Sequence, residues 1–99
     1  MVRRSIERII VELDFHAARH TVARTYWRVL YKGREIDLQE AEEMGLVKYI
    51  DSDYDGRKTH WIEMYEVLDH TIMFVCYRIS NRGNKYVSYI SPQQLRREE

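Results

Sequence analysis

The sequence predicts an α+β fold: an antiparallel sheet of about four or five strands packed on an N-terminal helix, with a short second helix. Three observations carry this. Apolar residues near the N-terminus recur at helical spacing. The segment DLQEAEEMG holds the start and stop signals of a short helix. The second half of the chain alternates aromatic and β-branched runs with turn residues.

Residues 5–20 supply the first helix. Ile6, Ile9, Ile10, Leu13 and Ala17 follow the i, i+3, i+4, i+7 pattern of one buried face, and Ser5 is its N-cap. A second stripe, Val11, Phe15, Ala18 and Val22, lies nearly opposite at about 100° per residue. A helix apolar on two faces must cover both. The stripe therefore reads as the interface of a symmetric homodimer, with complete burial within one chain as the plainer reading. RTYWRVLYK, residues 24–32, is a strand, and Gly33 a turn or bulge. In the second helix Asp37 is the N-cap, Glu40 sits three residues on as in a capping box, and Gly45 ends it. LVKYI is a short strand and DSDYDG a loop. KTHWIEMYEVL, TIMFVCYRI and KYVSYI form a meander, with TIMFVCYRI central and Asn81–Asn84 as a turn, although the Trp61, Tyr65 and Leu68 spacing of the first also fits a helix. Ser91, Pro92 and Gln94 open a terminal helical turn running through QLRREE.

The length, 99 residues, suits a single domain spanning 1–99. Apolar content of 44% and charged content of 32% exclude a disordered tail. The single cysteine, Cys76, excludes an internal disulfide and favours a reducing cytoplasm. MVRRSIERIIVEL carries a charge every few residues, unlike a signal peptide. The longest apolar run, Ile72–Tyr77, is far short of the roughly 20 residues of a membrane span. Five Asn and Gln together, beside abundant charge, point to a hot habitat.

Zero net charge argues against a histone-like cation, but it hides a segregation. Residues 1–34 carry eight basic and three acidic groups, residues 35–70 three and eleven, and residues 71–99 five and two. The chain is basic, then acidic, then basic.

Few constellations carry chemistry. Asp51, Asp53, Asp55 and Gly56 open like a calcium loop, yet Ile62 stands where the bidentate Glu belongs, so a solvated loop is the better reading. His16 and His20 have the spacing of a zinc pair on a helix, but Ala17 replaces the Glu of a metalloprotease and no cysteine is near. Cys76 sits among Ile72, Met73, Phe74 and Val75, a poor setting for a thiolate. Glu63 and Glu66 would lie on opposite faces of a strand. No nucleophile elbow, phosphate loop or dinucleotide fingerprint occurs. The sequence thus names no catalytic residue and no cofactor.

Nucleic acid is a better-supported partner. Arginine outnumbers lysine twelve to four, and ten residues are Tyr or Trp. The basic thirds interleave them: Arg24, Tyr26 and Arg28 in one strand, and Arg78, Arg82, Lys85, Tyr86 and Tyr89 in the last hairpin. If these segments are neighbours, they form a positive face of the kind that stacks and neutralises single strands. The plainer reading is an exposed sheet face kept soluble by Tyr and Arg. The eight carboxylates between Glu35 and Asp55 offer a surface for a basic protein partner or, more plainly, a solvated face.

The stretch LYKGREIDLQEAEEMGLVKYIDSDYDGRKTHW, and the chain as a whole, resembles a family of small proteins carried by lipothrixviruses, the filamentous viruses of hot-spring Acidianus, with relatives in rudiviruses. No motif of chemical meaning carries the resemblance, so no functional residue transfers with it. It implies a viral accessory protein made in an archaeal host cytoplasm, without an assigned activity. The expected function is that of a small homodimeric interaction or regulatory protein acting on a host or viral macromolecule. The alternative is a nucleic-acid-binding module.

Overall fold

The structure is a computed structural model that describes residues 8–16, 22–54, 56 and 60–97. It is mostly antiparallel sheet, and this corrects the expected α+β fold. The elements are β1 (Ile9–His16), β2 (Val22–Tyr31), β3 (Arg34–Asp37), α1 (Leu38–Glu43), β4 (Val47–Tyr54), β5 (His60–Val67), β6 (Met73–Ser80), β7 (Lys85–Ile90) and α2 (Pro92–Leu95). One sheet has the order β1-β5-β4, the other β3-β2-β6-β7. Neither helix is N-terminal or laid across a sheet as a layer.

The segment expected to be the first helix is β1. The run Val11-Glu12-Leu13-Asp14-Phe15-His16 alternates with period two, and Ile9, Ile10 and Val11 are β-branched, which suits a pleated strand. The alternation turns Ile9, Val11 and Leu13 into the core, with Phe15 packed against it. Val11 and Phe15 therefore share a face with Leu13. The second apolar face that called for a dimer does not form on this strand. Ala18 lies outside the described residues, and of Val22 only its place at the start of β2 is described.

The two sheets share one core. Ile9, Val11, Leu13, Val47, Tyr65 and Val67 come from the three-stranded sheet, and Trp27, Val29, Ile36, Phe74 and Cys76 from the other. Phe74, between Val29 and Ile90 in the ladder, is fully buried. The indole Nε1 of Trp27 donates to the carbonyl of Asp14 at 2.9 Å, tying β2 to β1 across the layers.

Residues 32 and 33 make the two-residue turn between β2 and β3, with φ of 49° at Lys32 and 78° at Gly33. Two positive φ angles define the hairpin turn whose twist matches its strands. The sequence reading passes from Gly33 directly to the helix and omits β3. The second helix forms where expected. The Glu40 amide donates to Asp37 Oδ1 at 2.7 Å. At its end the Gly45 amide donates to the Glu42 carbonyl and the Leu46 amide to the Ala41 carbonyl, with Gly45 at φ 75°.

Two further differences arise from the strands. The expected DSDYDG loop is strand as far as Tyr54. An irregularity between Tyr49 and Asp51 shifts the register by one, so that Asp51 lies opposite Met64 and Tyr54 opposite Trp61. At the C-terminus the helical turn ends at Leu95 instead of running on. Gln94 reaches back to the Ser91 amide at 3.0 Å, and beyond the helix Arg96 bridges to Val11 while the Arg97 amide donates to the Ile10 carbonyl at 2.7 Å. Among the described residues no helix is long and apolar enough to cross a membrane.

Candidate nucleic-acid interface

In the four-stranded sheet the inward residues are Trp27, Val29, Phe74 and Cys76, so their neighbours in sequence face away from the core. The ladder arranges that outer face in rows. Arg24 lies beside Ile79 and then Lys85. Tyr26 lies beside Tyr77 and then Val87. Arg28 lies beside Val75 and then Tyr89. Five of the eight candidate residues thus share one face: Arg24, Tyr26, Arg28, Lys85 and Tyr89. Arg78 and Tyr86 pair with each other on the opposite face, and Arg82 sits in the turn between β6 and β7.

Charge and ring contacts order this face. Tyr26 and Tyr77 stack with centroids 4.8 Å apart and planes 13° from parallel. The Arg24 guanidinium lies 4.9 Å from the centre of the Tyr26 ring, and Lys85 Nζ 4.6 Å from that of Tyr77. Such cation–ring contacts hold the cations in place without neutralising them. Val75, between Arg28 and Tyr89 in the ladder, is fully buried although it points away from the core. Tyr89 is 56% exposed, which leaves its ring open to a stacking partner.

The acidic edge of the face is Glu35. Its Oε1 lies 3.4 Å from Arg28 Nε and accepts the Tyr77 hydroxyl. That hydrogen bond, then burial and the carboxylate charge, push the Tyr77 phenol up to about 12. Tyr77 is the residue that the sequence reading misses. The run Met73–Tyr77 is apolar throughout, so its alternation hides which side chains face out. Only pairing with Tyr26 identifies Tyr77 as part of the platform.

The other candidates disperse. Asp51 and Asp53 lie along the extended β4, each accepting the next residue's amide at 2.8 Å, and Asp55 is outside the described residues. Among the described residues no cluster of three metal-ligating side chains forms. His16 ends a strand where the zinc pair required a helix, and His20 is outside the described residues. His60 Nδ1 contacts Asp14 at 2.7 Å. Glu63 accepts from Trp61 Nε1 and from the Tyr65 hydroxyl, both at 2.8 Å, so both its oxygens are engaged. Burial, followed by that hydrogen bond, raises the Tyr65 phenol. Burial likewise raises the Cys76 thiol, against the nearby charge of Arg78.

Comparison with protein-family models, with curated proteins and with solved structures finds no match to the chain.

Proposed function

We propose that this is a small viral accessory protein, acting in the host cytoplasm as a homo-oligomeric interaction module, and that it binds single-stranded nucleic acid on the outer face of its four-stranded sheet. The viral origin rests on the resemblance alone. The binding reading rests on one observation: Arg24, Tyr26, Arg28, Lys85 and Tyr89 share a face on which cations lie over tyrosine rings and one ring is open. Cations neutralise phosphates, and an exposed ring stacks a base whatever its sequence. Of the eight carboxylates between Glu35 and Asp55, the seven described ones belong to β3, α1 and β4, away from the β6–β7 side of this face.

Fluorescence anisotropy with labelled single- and double-stranded oligonucleotides across a salt series tests it. Arg24 and Lys85 supply a logarithmic salt slope of about −1.4 on single strands, at roughly 0.7 per neutralised phosphate, because Glu35 offsets Arg28. Single strands bind more tightly than duplexes, because a paired base cannot reach Tyr89. No binding at low salt, where electrostatic attraction is strongest, overturns the reading and leaves a protein partner for the acidic surface.

A further inference from the structure

We infer that the free edge of β7 pairs antiparallel with β7 of a second copy, about a two-fold axis through Val87. The inference rests on the homo-oligomeric part of the function proposed above and names its surface.

A sheet edge presents unpaired N–H and C=O groups, and proteins blunt such edges with charge, bulges, shortness or cover. Among the described residues the two sheets have four edges, and three of them are blunted. The free side of β1 receives Arg96 and Arg97. β3 has four residues and carries Arg34, Glu35 and Asp37. β4 has an irregular register and carries Asp51 and Asp53. Apart from Lys85, β7 has none of these devices among the described residues. Its ladder with β6 is regular, its one charge is Lys85 at the first position, and among the described residues no strand lies beyond it. Tyr86, Val87 and Tyr89 are nevertheless 58%, 42% and 56% exposed.

The hydrogen-bond pattern selects the occupant. The Ser80 amide donates to the Asn84 carbonyl, which makes Ser80 and Asn84 a bonded pair of the β6–β7 ladder. Bonded and non-bonded pairs alternate along an antiparallel ladder. Tyr86, Ser88 and Ile90 therefore spend their backbone groups on β6, and Lys85, Val87 and Tyr89 aim theirs outward. These three positions are symmetric about Val87. A second β7 running antiparallel matches Lys85 with the partner's Tyr89, Val87 with the partner's Val87 and Tyr89 with the partner's Lys85, closing about six backbone hydrogen bonds. Shifting the register by two residues loses one of the three bonded pairs. No like charges oppose each other. The contact is isologous, so it closes at two copies and uses up the exposed edge. It also joins the two outer faces into one surface carrying two sets of Arg24, Tyr26, Tyr77, Lys85 and Tyr89.

Sedimentation velocity of the full chain over a concentration series reaching the hundred-micromolar range, together with cysteine cross-linking, tests the inference. The expected result is a dimer that dissociates on dilution. Val87→Glu places two carboxylates across the axis and weakens association by at least about tenfold. In Val87→Cys the symmetry-related Cα atoms stand about 5.5 Å apart, within disulfide reach, so mild oxidation gives a covalent dimer. Lys85→Cys stays uncross-linked, because its symmetry mate is roughly 14 Å away at about 3.4 Å per residue. Native Cys76 is buried and does not compete. A strict monomer overturns both the inference and the homo-oligomeric part of the proposed function. A dimer indifferent to Val87→Glu that leaves Val87→Cys uncross-linked overturns only the β7 edge. Equal cross-linking at 85 and 87 overturns the antiparallel register.

Discussion

Glu35→Gln isolates the electrostatics of the proposed face, because one carboxylate restrains both a cation and a phenol. Glu35 lies 3.4 Å from Arg28 Nε and accepts the Tyr77 hydroxyl. The glutamine keeps the size and an oxygen that accepts from Tyr77, and it removes only the charge. An ion pair this exposed contributes at most about 1 kcal/mol to stability, so the fold persists. Arg28 then acts at full charge. A unit charge about 4 Å from a phosphate is worth roughly 1 kcal/mol in water, so single-strand affinity at low salt rises about fivefold. The logarithmic salt slope steepens by about 0.7. Anisotropy titrations at several salt concentrations read both. Arg28→Ala is expected to change the slope less in the wild-type background than in Glu35→Gln, where no carboxylate offsets it. The same substitution acts on Tyr77. Its phenol stands at about 12 in the fold against an ordinary 10.0, so the fold favours the protonated form. That contribution to stability is complete below pH 10 and is lost as pH rises toward about 12. In Glu35→Gln the phenol titrates closer to 10. Phenolate absorbance, with Tyr77→Phe subtracted, follows it. Unchanged affinity and unchanged slope in Glu35→Gln would refute a nucleic-acid surface at Arg28, whatever the tyrosine does.

Other expectations test the fold beneath the face. Phe74→Ala empties the centre of the shared core and costs about 3–5 kcal/mol in guanidinium unfolding; a loss under about 1 kcal/mol would mean that the sheets do not meet there. Asp37→Ala removes the cap on the Glu40 amide and costs about 1 kcal/mol by the same assay, whereas Asp37→Asn is nearly neutral. Burial holds the Cys76 thiol up and away from solvent, so iodoacetamide labels the native protein only at the rate of unfolding; rapid labelling would show an open sheet.

The N-terminal segment shows how a sequence can carry two periods at once. Ile9, Ile10 and Leu13 satisfy a helical face, and the same stretch satisfies a strand through Val11, Leu13 and Phe15. The helical match leans on Ile6 and Ala17, both outside the described residues, whereas the alternation lies wholly within β1. β-branched Ile9, Ile10 and Val11 lose rotamer freedom in a helix and pack well on a pleat, which tips the balance. The two short helices are legible because their termini are local chemistry: Asp37 and Gly45 for one, Ser91, Pro92 and Gln94 for the other. Strand ends are less so. Nothing in VKYIDSDY announces that the register shifts near Ile50, and Asp51 and Asp53 read as part of a loop until β5 pairs with them.

The face itself is half legible, for a reason rooted in the pleat. Composition finds Arg and Tyr in the two strands that become neighbours, but membership of a face is a matter of parity. In β2 the alternation Tyr26, Trp27, Arg28, Val29 sorts the outward from the inward residues within the strand. In β6 the run Met73–Tyr77 is apolar on both sides, because one side packs on the core and the other carries Val75, beside Arg28, and Tyr77, stacked on Tyr26 and covered by Lys85. Only the cross-strand register resolves it, and that register moves Arg78 and Tyr86 to the far face while bringing Tyr77 onto the near one. The same parity decides the edge. Because Lys85, Val87 and Tyr89 point both their side chains to the platform and their backbone groups to the outside, an added β7 strand extends the platform in plane. The proposed binding surface and the proposed dimer edge thus follow from a single alternation, and a substitution such as Val87→Glu should disturb both: the pairing by repulsion across the axis, and the platform by a carboxylate beside Tyr77.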